Sequence, residues 1–286
     1  MSSTVVVLIA LGVAGVLVAG VAVVAILAVS VLGQPATSHF VPVAPVIADP
    51  STSSPSSSLA RRPSTTVGQG STAGPPVVPA PPAGATITGA TPCPAADGSS
   101  ARTTTFAKAP PTCIDPAKSY TAAFDTNMGA FTIKLDTTKM PGTVNNFVVL
   151  SRYHYYDNTA IFRLDPSIDI AQGGSPATNS AADQGPGYTI PDEGGRFTYT
   201  TGDFVMARTA QPNSSGAQFF LASGAKVAQL DSQGTYLLFG KVTTGQDVVN
   251  AIAALYEPFP DTSPMAGLGG APSKAVVITK VTITES

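Results

Sequence analysis

Residues 202–223 read GDFVMARTAQPNSSGAQFFLAS. Apolar runs around Met206 and around Phe220 flank a polar loop holding Pro212, Asn213 and Gly216, which is the pattern of strand, turn and strand. Side chains of a pleated strand alternate between its two faces. Gln218 and Phe220 therefore share one face, and Phe219 takes the opposite one as a core residue. Met206, beside Ala207 in the preceding run, reads as packing. One face thus carries an amide next to an aromatic ring, which is either an isolated polar residue on a buried strand or one wall of a site. Asn213-Ser214-Ser215 also matches a glycosylation sequon, though one placed inside this loop.

Similar runs surround this stretch. YTAAFDTNMGAFTIKLD, residues 120–136, reads as a hairpin about Asn127, Met128 and Gly129. KMPGTVNNFVVL, residues 139–150, reads as a helix start with Pro141 in its first turn and Val144, Phe147 and Val148 on one face. TGQDVVNAIAAL, residues 244–255, reads as a second helix, with Thr244 and Asp247 as a capping box and Val248, Ile252 and Leu255 along one side. KAVVITKVTITE, residues 274–285, is a closing strand. Many short strands with only two helices predict a closed β-barrel with helices over its ends.

Upstream the composition changes. Residues 5–32 contain no charge and no proline, and such a helix exceeds the ~30 Å hydrocarbon core of a bilayer. We read residues 1–33 as an uncleaved single-pass anchor in preference to a cleaved signal, whose apolar region is shorter and follows positive charges. Residues 34–92 are rich in Pro, Ser, Thr, Ala and Gly and read as a disordered linker. Residues 93–118 are a Cys-bounded lead-in, and residues 119–286 form the folded domain. From Asp115 onward there are 11 Lys and Arg against 15 Asp and Glu. An acidic domain lacks the basic cluster that binds nucleic acid. Only Cys93 and Cys113 could supply thiolate and only His39 and His154 imidazole, and no CxxC spacing occurs, so neither a metal nor a cofactor is expected. If the chain is exported, Cys93 and Cys113 pair as a disulfide contributing on the order of 3 kcal/mol; the alternative is two free thiols in a flexible segment.

Three segments carry the candidate chemistry. They are IFRLDPSIDIAQGGSP (161–176), the opening stretch, and QLDSQGTYLLFGKV (229–242). Arg163, QGG at 172–174, MA at 206–207, GAQFF at 216–220 and FGKV at 239–242, taken in order, resemble the cyclophilins, the cyclosporin-binding peptidyl-prolyl isomerases. PGYTIPDE, residues 186–193, resembles a stretch of the bacterial members. The resemblance covers about residues 119–286. It implies an eight-stranded antiparallel barrel capped by two α-helices, and proline-containing polypeptides as substrates. It also implies a pocket for the proline ring walled by Phe220, Ile170 and Leu230, with Ile168 where the family has a phenylalanine and Tyr236 closing it in place of a histidine. Gln172 and Gln218 would bond substrate backbone or orient Arg163, and Ala207 and Arg208 would line the substrate groove.

By that resemblance Arg163 is the catalytic residue. Peptide-bond resonance sets a rotation barrier of ~18–20 kcal/mol, and the twisted imide regains its nitrogen lone pair. A guanidinium donor aimed at that nitrogen stabilises the twisted state above the planar ones. Its bland alternative is a salt bridge at the barrel rim. His154 reads as a surface-loop residue. The chain departs from the family at Phe162 (histidine), at Arg208 (asparagine) and at Gln229, where strong cyclosporin binders carry tryptophan, so cyclosporin binding is expected to be weak. One extra residue lies near Asp169. The expected function is a membrane-tethered extracytoplasmic isomerase for exported or envelope proteins, secreted if the N-terminal segment is cleaved. The competing readings are a weakly catalytic proline-peptide binding module and a structural envelope protein. A hydrolase is disfavoured by the absence of a Gly-x-Ser-x-Gly elbow.

Overall fold

In the hairpin segment every second residue is buried: Tyr120, Ala122 and Phe124, then Phe131, Ile133 and Leu135. That period of two gives each strand one dry face, which must be covered by another sheet surface. The computed structural model describes residues 78–263 and 265–286. The expected anchor and most of the expected linker lie outside the described residues. Among those described, no helix is long and apolar enough to cross a membrane.

In chain order the elements are β1 (Ala85–Ile87), β2 (Thr103–Phe106), β3 (Tyr120–Thr126), β4 (Gly129–Leu135), α1 (Pro141–Arg152), β5 (Thr159–Asp165), β6 (Ile170–Gly173), β7 (Asp203–Met206) and β8 (Phe219–Ala222). A 3-10 segment (Ala225–Ser232) precedes β9 (Leu238–Thr244), α2 (Gln246–Ala253), β10 (Tyr256–Pro258), β11 (Gly270–Pro272) and β12 (Val277–Glu285). The pairing order β5-β12-β3-β4-β9-β7-β8-β6 returns to β5, so eight antiparallel strands close into a barrel, as expected. β10 and β11 form a flap hydrogen-bonded to β5 through Gly270 and Leu164.

Alternation along the strands sorts the side chains into two apolar clusters. Phe124, Phe131, Phe204, Phe219, Leu221 and Phe239 belong to the main core. Ile170, Val205, Phe220 and Ala222, their neighbours along the same strands, form a second cluster with Tyr199, Val227 and Leu230. Phe147 of α1 packs against Phe124, Phe204, Phe219 and Phe239, with ring centroids 5.2–6.4 Å apart. Stacked, tilted and edge-to-face rings of this kind contribute beyond their buried area.

The helix starts depend on distant groups. α1 has Pro141 in its first turn and no side-chain cap of its own. Glu193 supplies the cap instead, its carboxylate accepting from the backbone N–H of Gly142 and Thr143, where the helix dipole favours negative charge. The expected capping box at α2 does not form: the N-cap is Gly245, with φ 78° and no side-chain bond. A Cβ on Gly245 would lie 2.4 Å from the Ala130 carbonyl oxygen. The chain leaves β9 in a left-handed turn pressed against β4, and Thr244 is still part of the strand.

The lead-in covers α1. Cys93 and Cys113 form a disulfide with a Cα–Cα distance of 5.4 Å. Asn145 of α1 ties this segment down: its Oδ1 accepts from Cys113 N–H and Ile114 N–H, and its Nδ2 donates to Pro111 O. Phe106 is buried with its ring against Tyr153 and Tyr188. α1 is therefore buried from Thr143 to Arg152, on both faces. One feature departs from the reading of the sequence. β1 falls within the stretch read as linker; it pairs in parallel with β2, and Ile87 packs on the main core. His154 lies in the turn after α1, as read, and also ties the lead-in to that turn: Nδ1 lies 2.8 Å from Asp157 Oδ2 and Nε2 2.9 Å from Gly98 O.

Candidate active site

Cross-strand register lays out the site. Arg163 on β5 lies opposite Gln172 on β6, Gln172 opposite Phe220 on β8, and Phe220 opposite Val205 on β7. Opposed residues on one face of a sheet are neighbours, so a cation, an amide and an aromatic ring stand in one row. Simple alternation from Ile161, a core residue, would have turned Arg163 inward. The β5–β6 register shifts between Ile161 and Arg163, a β-bulge at Phe162. Bulges of this kind re-aim side chains: Ile161 and Leu164 both belong to the core, while Arg163 faces a cavity.

The cavity has a volume of about 260 Å³. Its walls include Ile168, Ile170, Phe220, Leu230 and Tyr236, with Arg163, Gln172, Ala207 and Arg208 at their edge. Nine of the ten predicted site residues thus share one cavity. The tenth, Gln218, lines an adjoining cavity that shares Gln172, Ala207 and Arg208 with the first. Phe220 and Tyr236 meet edge to face, with centroids 5.6 Å apart. Asp169, near which the family resemblance placed one extra residue, adopts φ 49° in the turn between β5 and β6.

The polar groups form one chain. Arg163 Nη2 donates to Asp165 Oδ2 (2.6 Å), Nη1 to Gln172 Oε1 (2.9 Å) and Nε to the Leu268 carbonyl oxygen (2.6 Å). Gln172 Nε2 donates to Gln218 Oε1 (2.9 Å), and Gln218 Nε2 to the Ala181 carbonyl (3.1 Å). The Arg163 side chain is 15% exposed, so it is held mostly out of water yet open to the cavity. Arg208 differs in kind. Its guanidinium pairs with Asp192 and donates to the carbonyls of Thr235 and Gln211, so it braces three loops while its side chain borders both cavities. Asn213 Oδ1 accepts from Asp192 N–H, and Ser215 is fully buried, so the sequon is engaged in loop packing.

Several contributors were not read from the sequence. Ala181, Met265 and Leu268 line the cavity from loops, and Asp165 anchors the guanidinium. Tyr199 clamps Tyr236: its hydroxyl donates to the Tyr236 carbonyl and accepts from the Tyr236 N–H, both at 2.9 Å. The loop residues show no periodicity that could have revealed them. Asp165 does carry a signal, since it lies two residues beyond Arg163.

Residues 121–283 match the family model described as cyclophilin type peptidyl-prolyl cis-trans isomerase/CLD. The chain is 34% identical over 139 residues to peptidyl-prolyl cis-trans isomerase cyp18 of Streptomyces antibioticus, covering 46% of this chain and 82% of that protein. It is 33% identical over 133 residues to peptidyl-prolyl cis-trans isomerase CYP18-2 of Arabidopsis thaliana, covering 46% and 79%. A crystal structure of a Cryptosporidium parvum cyclophilin type peptidyl-prolyl cis-trans isomerase aligns with a TM-score of 0.48 and 26% identity, over 59% of this chain and 99% of that one.

Proposed function

The chain belongs to the cyclophilin-type peptidyl-prolyl cis-trans isomerases, and from that premise we propose that Arg163 drives the rotation of Xaa-Pro bonds in exported or envelope proteins. The observation carrying this reading is the placement of the Arg163 guanidinium at the edge of an apolar cavity walled by Ile170, Phe220 and Leu230. A proline ring fits such a wall, and a peptide lying across it brings its imide toward the guanidinium. Uncatalysed X–Pro isomerisation takes roughly tens to hundreds of seconds. A guanidinium presents five N–H donors. Three are directed at Asp165, Gln172 and Leu268. Among the described residues the remaining two, one on each Nη, meet no acceptor.

Those acceptors hold the plane of the guanidinium before substrate arrives. Such preorganisation lets a donor stabilise the lone pair that appears on the twisted imide nitrogen without first rearranging. The Gln172–Gln218 amide pair fixes one edge of the plane and borders the path along which substrate backbone would lie. No nucleophile, proton transfer or bound group is needed, because no covalent bond other than the rotating one changes character. Gln229, at the position of the tryptophan of strong cyclosporin binders, donates to the Ser167 carbonyl at 2.9 Å, which supports weak cyclosporin binding. The extracytoplasmic assignment is supported by the Cys93–Cys113 disulfide, a bond that persists in oxidising compartments, and by the apolar run at residues 5–32.

The test is isomerisation of a short Xaa-Pro peptide followed by NMR exchange. Wild-type protein should accelerate exchange, and Arg163→Ala should lower kcat/KM by roughly 10²–10³-fold, the scale seen when one transition-state donor is removed, with peptide binding retained. Binding without acceleration in the wild type would make the chain a peptide-binding module.

A further inference from the structure

Between β10 and β11 the described residues 259–263 and 265–269 form a loop, and its Met265 and Leu268 line the cavity. It is held at both ends. Gly270 pairs with Leu164 next to Arg163, and Phe259 N–H donates to the Gly269 carbonyl. Gly269 has φ 97°, and a Cβ there would lie 2.4 Å from the Leu164 carbonyl oxygen, so only glycine lets the loop press so closely on β5. Inside the loop, Leu268 N–H donates to Met265 O and Ala266 N–H to Ser263 O, both at 3.0 Å. These turns set Met265 and Leu268 side by side on the cavity wall.

Leu268 is 52% exposed, and among the described residues it is the one large apolar side chain left open to this degree. Together with Met265 it adds apolar surface to the cavity that holds Arg163 and Phe220, surface that a bound aliphatic side chain would remove from water. Its own carbonyl is bonded to Arg163 Nε, so the open side chain stands next to the guanidinium and away from the cavity that Gln218 lines. Leu268 lines the same cavity as Ile170 and Phe220, so a side chain flanking a proline seated there is within its reach.

We propose that Met265 and Leu268 are specificity-determining residues, forming an apolar subsite for a large aliphatic side chain that flanks the substrate's proline. This rests on the reading of the cavity as the prolyl site. The occupant is the residue immediately before or immediately after the proline, and the two are separated by experiment. The subsite discriminates by burying aliphatic surface against Leu268, so it favours Leu over Ser and does not change the rotation itself.

The full-length protein is assayed by NMR exchange with two peptide pairs, Leu or Ser before proline and Leu or Ser after it. Wild-type kcat/KM should favour Leu by roughly tenfold at one of the two positions, the scale set by a small difference in apolar bulk. Leu268→Ser should collapse that ratio toward unity, while Leu268→Met should keep it. The backbone carbonyl bonded to Arg163 is present in both variants, and matched melting curves establish that both are folded. Wild-type activity with no Leu preference at either position overturns the subsite and leaves the isomerase reading intact. A preference that survives in Leu268→Ser overturns it equally. Absence of acceleration with all four peptides overturns the prolyl-site reading and the subsite with it.

Discussion

Tyr199 belongs to none of the motifs, yet it sets the position of a residue that does. Its hydroxyl is bonded twice to the backbone of Tyr236, and its own N–H is taken by Asp231 Oδ1. The Tyr236 ring is thereby fixed against Phe220. Tyr199→Phe would leave the half-buried Tyr236 N–H without its acceptor, at a cost on the order of 1 kcal/mol. We expect KM for an Xaa-Pro peptide to rise several-fold while kcat changes less, because the wall of the cavity moves and Arg163 does not. An equal fall in kcat at saturating peptide would show that Tyr199 acts on more than the wall. Burial pushes the Tyr199 hydroxyl up to about 12. A raised value means that the folded state holds this proton more tightly, so its contribution is complete below the ordinary tyrosine value of 10.0 and is lost as pH climbs toward 12. The clamp therefore persists across the pH range of any ordinary assay. Asp165 works at the same scale. Its Oδ2 takes Arg163 Nη2, and its Oδ1 takes both the N–H and the hydroxyl of Ser167. One carboxylate thus ties the guanidinium to the turn that carries Ile168.

At the scale of elements, the strands were legible wherever alternation is unbroken. β3, β4, β8 and β12 all fall where period two placed them. The β5 bulge was not legible, because the same rule applied to Ile161 and Arg163 predicts a shared face, and only the partner strand reveals the extra residue at Phe162. Nor could the cap of α1 be read, since Glu193 lies far along the chain from Gly142. The lead-in was legible only as two cysteines. Its packing on α1 comes from Phe106, Ile114 and the Asn145 bonds, single residues in a segment with no periodicity. Closing a loop of sequence separation 20 contributes about 3 kcal/mol in the chain-entropy view. For a domain of this size that is roughly 6–12 °C in Tm. Thermal melts with and without a phosphine reductant, and of Cys93→Ser/Cys113→Ser, should therefore differ from the oxidised protein by about that much in the downward direction. Coincident melts would mean that the Asn145 bonds and the buried Phe106 hold the lead-in without help. Because α1 lends Phe147 to the core that backs β8, a loosened lead-in should also reduce activity at temperatures where the oxidised protein is unaffected.

For the molecule as a whole, the site is confined to the barrel and its loops. The cavity residues run from Arg163 to Leu268, inside the segment that matches the family model. Gly68–Ser286 forms a compact unit of its own. A membrane tether is the task we propose for the N-terminal segment. Residues 5–32 as a helix would extend ~42 Å at 1.5 Å per residue, more than the ~30 Å of bilayer hydrocarbon. The Pro- and Ser-rich stretch that follows reads as a spacer. Full-length protein should stay with the membrane fraction after alkaline carbonate extraction, and protease added to intact cells should reach the barrel. A chain starting at Gly68 should appear in the soluble fraction with kcat/KM within roughly twofold of the full chain, because a domain with its own core folds and acts alone. Full-length protein recovered in the medium with a new N-terminus beyond residue 32 would mean that the apolar run is a cleaved signal, and the tether would be withdrawn. A large loss of kcat/KM on truncation would be harder to reconcile with the barrel. It would place residues before Gly68 in contact with substrate, although the apolar wall, the Arg163 donors and the amide pair that fixes their plane all lie downstream of it.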